Sequence, residues 1–321
     1  MTADFSREFN RVADALNGTT VLVRLKGGIG NSLQALPLIR GLQMVGARVS
    51  IELANPEVPE AMHILWGLIA GSERLDFDHE AEIVLDLPYF GAFINPFTKQ
   101  KAVWDEVYTK RWAWLSGEAC LYLRSVFPDG TLPPALPVSL REANPQEPKP
   151  LRVALFAEGK PKHKIKRYPF LTELATELAR YGWKPIILGL EKDSPIPSAD
   201  DLRGEPFLLQ LSRLRECILF IGSDGGWAHI AAALGIPSLV IFGPTSPQKN
   251  KPPYPWAWVI AREGGCRFCQ NWNERHRLPE TCPHGVPPPC LRISPQSIAH
   301  LTTSEAIHPS SNESCLPSIL V

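Results

Sequence analysis

The apolar positions of this chain fall into short continuous runs separated by stretches of a different period. Residues 21–26, 83–87, 151–156, 185–190, 218–221 and 238–242 are such runs, bounded by glycine, proline or charge. Strands covered on both faces of a parallel sheet read this way. Between them, in residues 170–180 and 227–234, apolar side chains return every three or four positions, which predicts helices. Gly235 stands where the second of these helices wants a left-handed terminal residue, and Pro237 forbids its continuation. A further short strand is expected near residues 207–211. Strands alternating with helices argue an α/β fold with parallel sheets and helices on both faces.

The punctuation divides that pattern in two. Pro133, Pro134 and Pro137, followed by the polar, proline-spaced residues 141–150, can hold neither a helix nor an internal strand. We therefore expect an N-terminal Rossmann-like domain over residues 1–147 and a second Rossmann-like domain over 148–302. Two such halves would face each other across a cleft, with ligands at the carboxyl ends of the strands. Residues 303–321 are Ser-rich without periodicity and are expected to be a loose tail. Trp104, Val107, Tyr108 and Trp112 share a helical spacing that suits a core stripe.

Composition narrows the partners. The 321 residues carry 33 basic and 33 acidic side chains, so overall charge gives no reason to expect nucleic acid. No apolar run approaches the ~20 residues that span a bilayer, and the opening MTADFSREFN has neither a basic nor an apolar leader region. A cytoplasmic protein without a transmembrane segment is expected, one that could sit peripherally at the inner membrane face.

Two constellations carry chemistry. The first is the turn between the runs at 218–221 and 238–242, where Asp224, Gly225 and Gly226 open a helix. Glycines there let backbone N–H groups approach an anion, and the helix dipole favours negative charge. A tight turn in any α/β protein would look similar. Asp224 would serve as N-cap, as an anion-site residue, or as both. His229, on the first turn of the same helix, can lie near the same anion or be a satisfied structural histidine. The second constellation is the Cys266-x-x-Cys269 pair followed by Cys282 and Cys290, four of seven cysteines within residues 265–292. In a reducing compartment such spacing reads as a metal site before it reads as disulfides. Four thiolates suit zinc or iron in a structural role, with no open position for catalysis, although four reduced thiols without metal remain an alternative. No catalytic metal is expected.

The full string over residues 218–247 resembles the donor-binding motif of glycosyltransferase family 9, the ADP-heptose:lipopolysaccharide heptosyltransferases and their relatives. Asp224, Gly225, Gly226, His229, the Ala-rich helix and Gly243-Pro244-Thr245 match its pattern. So does the N-terminal turn, where Gly27-Gly28-Ile29-Gly30-Asn31 follows the first strand and leads to Leu36-Pro37. Leu33 stands where a dinucleotide fingerprint would have its third glycine, so Gly28 and Gly30 make a poor oxidoreductase motif. The resemblance implies a GT-B fold and transfer of a sugar with inversion. The donor would be a nucleoside-diphosphate sugar, ADP-heptose foremost, and the acceptor a lipopolysaccharide or other glycan core, or a protein hydroxyl.

The resemblance also implies roles. Lys166, in Lys166-Arg167-Tyr168-Pro169, matches the lysine that binds donor phosphates, though the surrounding lysines could equally be a solvated basic loop. Glu191 matches an acid near the donor nucleoside. The acceptor-side turn of Gly28 and Gly30 ends, in the family, in an aspartate base. Here the residue is Asn31, whose amide can position a hydroxyl but cannot take its proton. Three accounts stay open. The base is another carboxylate, Asp86 or Glu158; or leaving-group stabilisation drives the reaction; or the protein binds a nucleotide sugar without turning it over. Cysteine clusters followed by a Leu-x-x-Ile-Ser-Pro-like run also occur in the family, some of them iron sites, and residues 291–295 match.

Overall fold

The computed structural model describes residues 17–33, 39, 42, 43, 46–56, 59–70, 81–87, 92–94, 101–103, 151–156, 161–252, 254, 256–264, 266–269, 281–303, 319 and 320. The expected core stripe around Trp104 and Trp112, and Glu158, lie outside them. The chain divides into two compact units, Met1–Ala135 and Leu136–Val321, at the head of the proline-spaced stretch.

In the first unit β1 (Thr20–Gly27) leads through α1 (Ile29–Leu33) to β2 (Arg48–Pro56), α2 (Pro59–Ala70) and β3 (Ile83–Leu87). The sheet order is β2-β1-β3 and both pairings are parallel. β1 is central, so both its faces must be apolar, and Val21, Leu22, Val23 and Leu25 are all buried. Met62, Leu65 and Trp66 give α2 its buried side. β4 (Ala92–Ile94) and β5 (Lys101–Val103) form a separate antiparallel pair.

The second unit holds β6 (Arg152–Phe156), α3 (Leu171–Arg180), β7 (Lys184–Ile187), β8 (Asp200–Asp201), α4 (Phe207–Arg215), β9 (Leu219–Ser223), α5 (Gly226–Ala233), β10 (Ser238–Ile241), α6 (Pro247–Asn250), β11 (Ala257–Ala261), α7 (Pro295–Leu301) and β12 (Ile319–Leu320). Its seven-stranded sheet has the order β12-β11-β10-β9-β6-β7-β8, parallel throughout. The chain steps outward from β6 to β7 and β8, then returns to lay β9 on the other side of β6. Right-handed crossovers then put the connections on opposite faces of the sheet, and the carboxyl ends of β6 and β9 flank the point where direction reverses.

Three expectations need correction. Residues 207–215 are helical, not a strand. A short apolar run is ambiguous by period, and the decisive feature is that Leu211 and Leu214 bury one helical face while the Gln210 amide bonds the backbone of Gly189 and Glu205. Asp224 is not the N-cap of α5. Gly225 is, and it makes no side-chain cap bond. Within the stretch expected to be a loose tail, residues 319–320 pair with β11 as an edge strand, Ile260 opposite Ile319. The C-terminal stop of α5 does follow the glycine reading. Gly235 has φ 74°, and Gly235 and Ile236 donate to the carbonyls of Ala232 and Ala231, which satisfies two of the last carbonyls of the helix.

Candidate functional site

At the reversal point of the second sheet, backbones crowd because the glycines allow it. A Cβ on Gly222 would collide with the carbonyl oxygen of Phe156, and one on Gly225 would come within 3.1 Å of the Phe156 ring. The ends of β6 and β9 can therefore lie side by side only with glycine at these places. Directly after β9 comes Asp224, its side chain 7% exposed, with Lys166 Nζ 3.7 Å from its carboxylate and itself 15% exposed. Lys166 ends the 3-10 turn Pro161–Lys166 that follows β6. Sequence brings neither near the other; the sheet order does.

Burial raises the Asp224 pKa above the ordinary carboxylate value, and the Lys166 charge and the neighbouring Thr245 pull it back down. Thr245 is 2% exposed and arrives from the turn after β10. Its hydroxyl lies within hydrogen-bonding reach of the Asp224 carboxylate, and its oxygen keeps acceptor capacity that a ligand or water could use. The first N–H groups of α5 follow Asp224 in the chain and have no side-chain cap. His229 is buried on that helix. Thus Lys166, Asp224, Gly225, Gly226 and Thr245 converge. One cation balances one buried carboxylate, and further donors are supplied by the helix terminus and the remaining ammonium protons. Such a set receives an oxyanion at low charge cost.

Glu191 lies in the exposed turn after β7, packed against Gly204 and held through its backbone oxygen by Arg203. Gly243 is buried. In the first unit, Gly28 follows β1 directly while Gly30 and Asn31 fall within α1, and Asp86 sits opposite Arg24 of β1 in the β1–β3 register. Arg24 in turn reaches Glu52 of β2 at 2.6 Å.

Two participants were missed in the sequence. Ser223 accepts a hydrogen bond from the Tyr168 N–H at 2.9 Å, and Tyr168 donates its own hydroxyl to Ile293 O at 2.8 Å. Tyr168 is buried, and its pKa is raised by that burial and by Glu173. Its place beside Lys166 was the only signal for it.

The four expected metal ligands are all free thiols or thiolates. Burial first, then Cys266, Cys269 and Cys282, pushes the Cys290 thiol up to about 12. A set of neighbouring thiols fits zinc or iron chemically. Among the described residues, however, no three His, Cys, Asp or Glu groups are arranged to hold an ion.

Comparison with known proteins bears on the fold. Residues 127–276 match the family model of glycosyltransferase family 9 (heptosyltransferase). The dodecameric iron-containing heptosyltransferase TibC in complex with ADP-D-beta-D-heptose is 16% identical, with TM-score 0.56, over 91% of this chain and 74% of that chain. TibC from enterotoxigenic E. coli H10407 is 15% identical with TM-score 0.54 over the same shares. A glycosyl transferase family 9 protein from Veillonella parvula DSM 2008 is 14% identical, with TM-score 0.46, over 74% of this chain and 85% of that one. No curated protein matches. The fold is α/β with parallel sheets, of the GT-B kind. No helix among the described residues is long and apolar enough to cross a membrane.

Proposed function

We propose that this chain, whose residues 127–276 match the model of glycosyltransferase family 9, is a glycosyltransferase that binds a nucleoside-diphosphate sugar at the Lys166–Asp224–Thr245 cluster. The observation that carries the reading is that cluster: a buried ion pair, an uncapped helix start and a buried hydroxyl at one sheet-reversal point. The sugar is a heptose and the donor ADP-heptose, in keeping with the ligand of the TibC complex. The acceptor is a lipopolysaccharide or other glycan core, or a protein hydroxyl. The protein works in the cytoplasm, peripherally at the inner membrane face.

In transfer with inversion, the acceptor oxygen attacks the anomeric carbon from the face opposite the diphosphate, the bond to the diphosphate oxygen breaks, and the hydroxyl proton leaves to a base. Lys166 and the N–H groups of α5 neutralise charge on the departing diphosphate, which needs no catalytic metal. Gly243 and Thr245 contact the phosphates, His229 the phosphates or the acceptor, and Glu191 the nucleoside. Asn31, with Gly28 and Gly30, positions the acceptor hydroxyl, and its proton goes to Asp86 or Glu158. Asn31 also favours a second reading, a nucleotide-sugar-binding protein without turnover, because an amide cannot accept that proton. Cys266, Cys269, Cys282 and Cys290 would hold a zinc or iron ion that supplies a covalent staple to residues 265–292 and no reaction chemistry.

A panel of nucleotide sugars read for hydrolysis, transfer and thermal shift tests the reading. ADP-heptose should give the largest shift, with turnover in the presence of an acceptor. Elemental analysis should find about one equivalent of zinc or iron, lost on Cys→Ser change at any of the four positions. Metal-free protein of unchanged melting temperature removes the staple from this account.

A further inference from the structure

The turn that carries Thr245 is gripped from two sides by the cysteine-bearing segment. The Phe268 N–H donates to Gly243 O at 2.8 Å, and Cys269 Sγ lies 3.8 Å from Pro244 O. From the other end of the segment, Leu291 fills the space where a Gly243 Cβ would stand, its Cδ2 2.6 Å and the Cys290 sulfur 3.2 Å from that point. Phe268 keeps a φ of 55°, uncommon for a residue with a side chain, while making its bond to Gly243. Two residues beyond Gly243, Thr245 presents its hydroxyl beside Asp224. The chain just beyond that segment also reaches the opposite wall of the cluster. Ile293 O accepts from the Tyr168 hydroxyl, and the Tyr168 N–H bonds Ser223, next to Asp224.

From these contacts we infer that Phe268, Cys269, Leu291 and Tyr168 are positioning residues for the diphosphate site, so that the cysteine-bearing segment sets affinity for the nucleotide as well as stability. The inference rests on the donor-site reading above. Neither wall of the cluster is fixed by its own strand alone. The Thr245 wall leans on Phe268 and Leu291, and the Lys166 wall hangs from Ile293 through Tyr168. Loosening the segment therefore moves donors relative to one another without removing any group that touches the ligand. Small displacements of oriented groups are costly, with ~1 Å able to cost on the order of a hundredfold in function.

Calorimetric titration of the full-length protein with ADP and with inorganic pyrophosphate tests this. Leu291→Ala and Tyr168→Phe should each weaken both ligands by about tenfold or more, at a temperature where near-UV circular dichroism shows them folded. Leu291→Met, which refills the volume, should bind more tightly than Leu291→Ala. Trp183→Phe removes a bond to Thr302 in the same core, away from the turn. It should lower the melting temperature and leave both affinities at the wild-type value. Wild-type affinity in folded Leu291→Ala overturns the inference, and if that variant does not fold, wild-type affinity in Tyr168→Phe overturns it. Wild-type protein that binds neither ADP nor pyrophosphate overturns the donor-site reading, and this inference falls with it.

Discussion

Each unit has a strand at which the direction of winding reverses, and the two reversal points are built differently. In the second unit, Gly222 and Gly225 let β6 and β9 close up, and a buried cation, carboxylate and hydroxyl gather beside an uncapped helix. In the first unit the corresponding point lies between β1 and β3. There the turn ends in an asparagine, and the Arg24–Glu52 ion pair, which joins β1 to β2, keeps 38% and 31% of its side chains exposed. The same reversal of winding thus carries a buried, charge-balanced cluster in one unit and a more exposed ion pair in the other. Four substitutions break or sharpen that comparison.

The largest effect should come from giving the α1 turn a carboxylate. If an acceptor hydroxyl reaches the α1 turn, Asn31→Asp should raise transfer by ~10²-fold or more, the usual contribution of general-base assistance. Initial rates at saturating donor measure it. Should Asn31→Ala and Asn31→Asp both leave the rate untouched, the turn is scaffold and the base is Asp86 or Glu158.

Breaking the buried pair comes next. Lys166→Met leaves Asp224 buried without a counter-charge, which should cost the unliganded protein about 3–5 kcal/mol near neutral pH. The sign with pH follows from the raised Asp224 pKa. The folded state holds this proton to higher pH than the unfolded chain does, so the group contributes less stability as pH rises above the ordinary carboxylate range. Removing Lys166 raises that pKa further. Denaturation curves between acid and neutral pH should show Lys166→Met losing stability with rising pH more steeply than wild type, and Asp224→Asn should abolish the difference.

Gly222→Ala should cost about 1–3 kcal/mol, because the obstacle is the Phe156 backbone and not a movable side chain. A thermal melt with no shift would mean that β6 and β9 are not in the close contact described. Smallest is Arg24→Met, where an exposed pair is worth about 0.2–1 kcal/mol and should weaken further with salt. A loss as large as that of Lys166→Met would erase the contrast between the two regions.

What the sequence made legible was local. Strand, glycine turn, helix and left-handed stop over residues 218–238 are written in consecutive residues, and the β1 turn likewise. Residues 207–215 were misread because Phe207-Leu208-Leu209 is apolar enough for a strand, and only the burial of Gln210, Leu211 and Leu214 on one side identifies a helix. Tyr168 and Ile293 meet across 125 positions, and Leu291 is pressed against Gly243 by the path of the intervening segment. Such pairings depend on sheet order, which no local spacing encodes. The sequence could name Lys166 and Asp224 through a resemblance, but their pairing follows from β9 lying next to β6.

The central claim is that the Lys166–Asp224–Thr245 cluster is a diphosphate site, and nucleotide-dependent stabilisation tests it most directly. ADP at about 100 times its dissociation constant should stabilise the wild-type protein by roughly 2.7 kcal/mol. Lys166→Ala should lose most of that gain, while Lys164→Ala, at an exposed position of the same turn, should keep it. Unchanged melting temperatures with ADP, UDP and GDP alike, or equal stabilisation of wild type and Lys166→Ala, would contradict it.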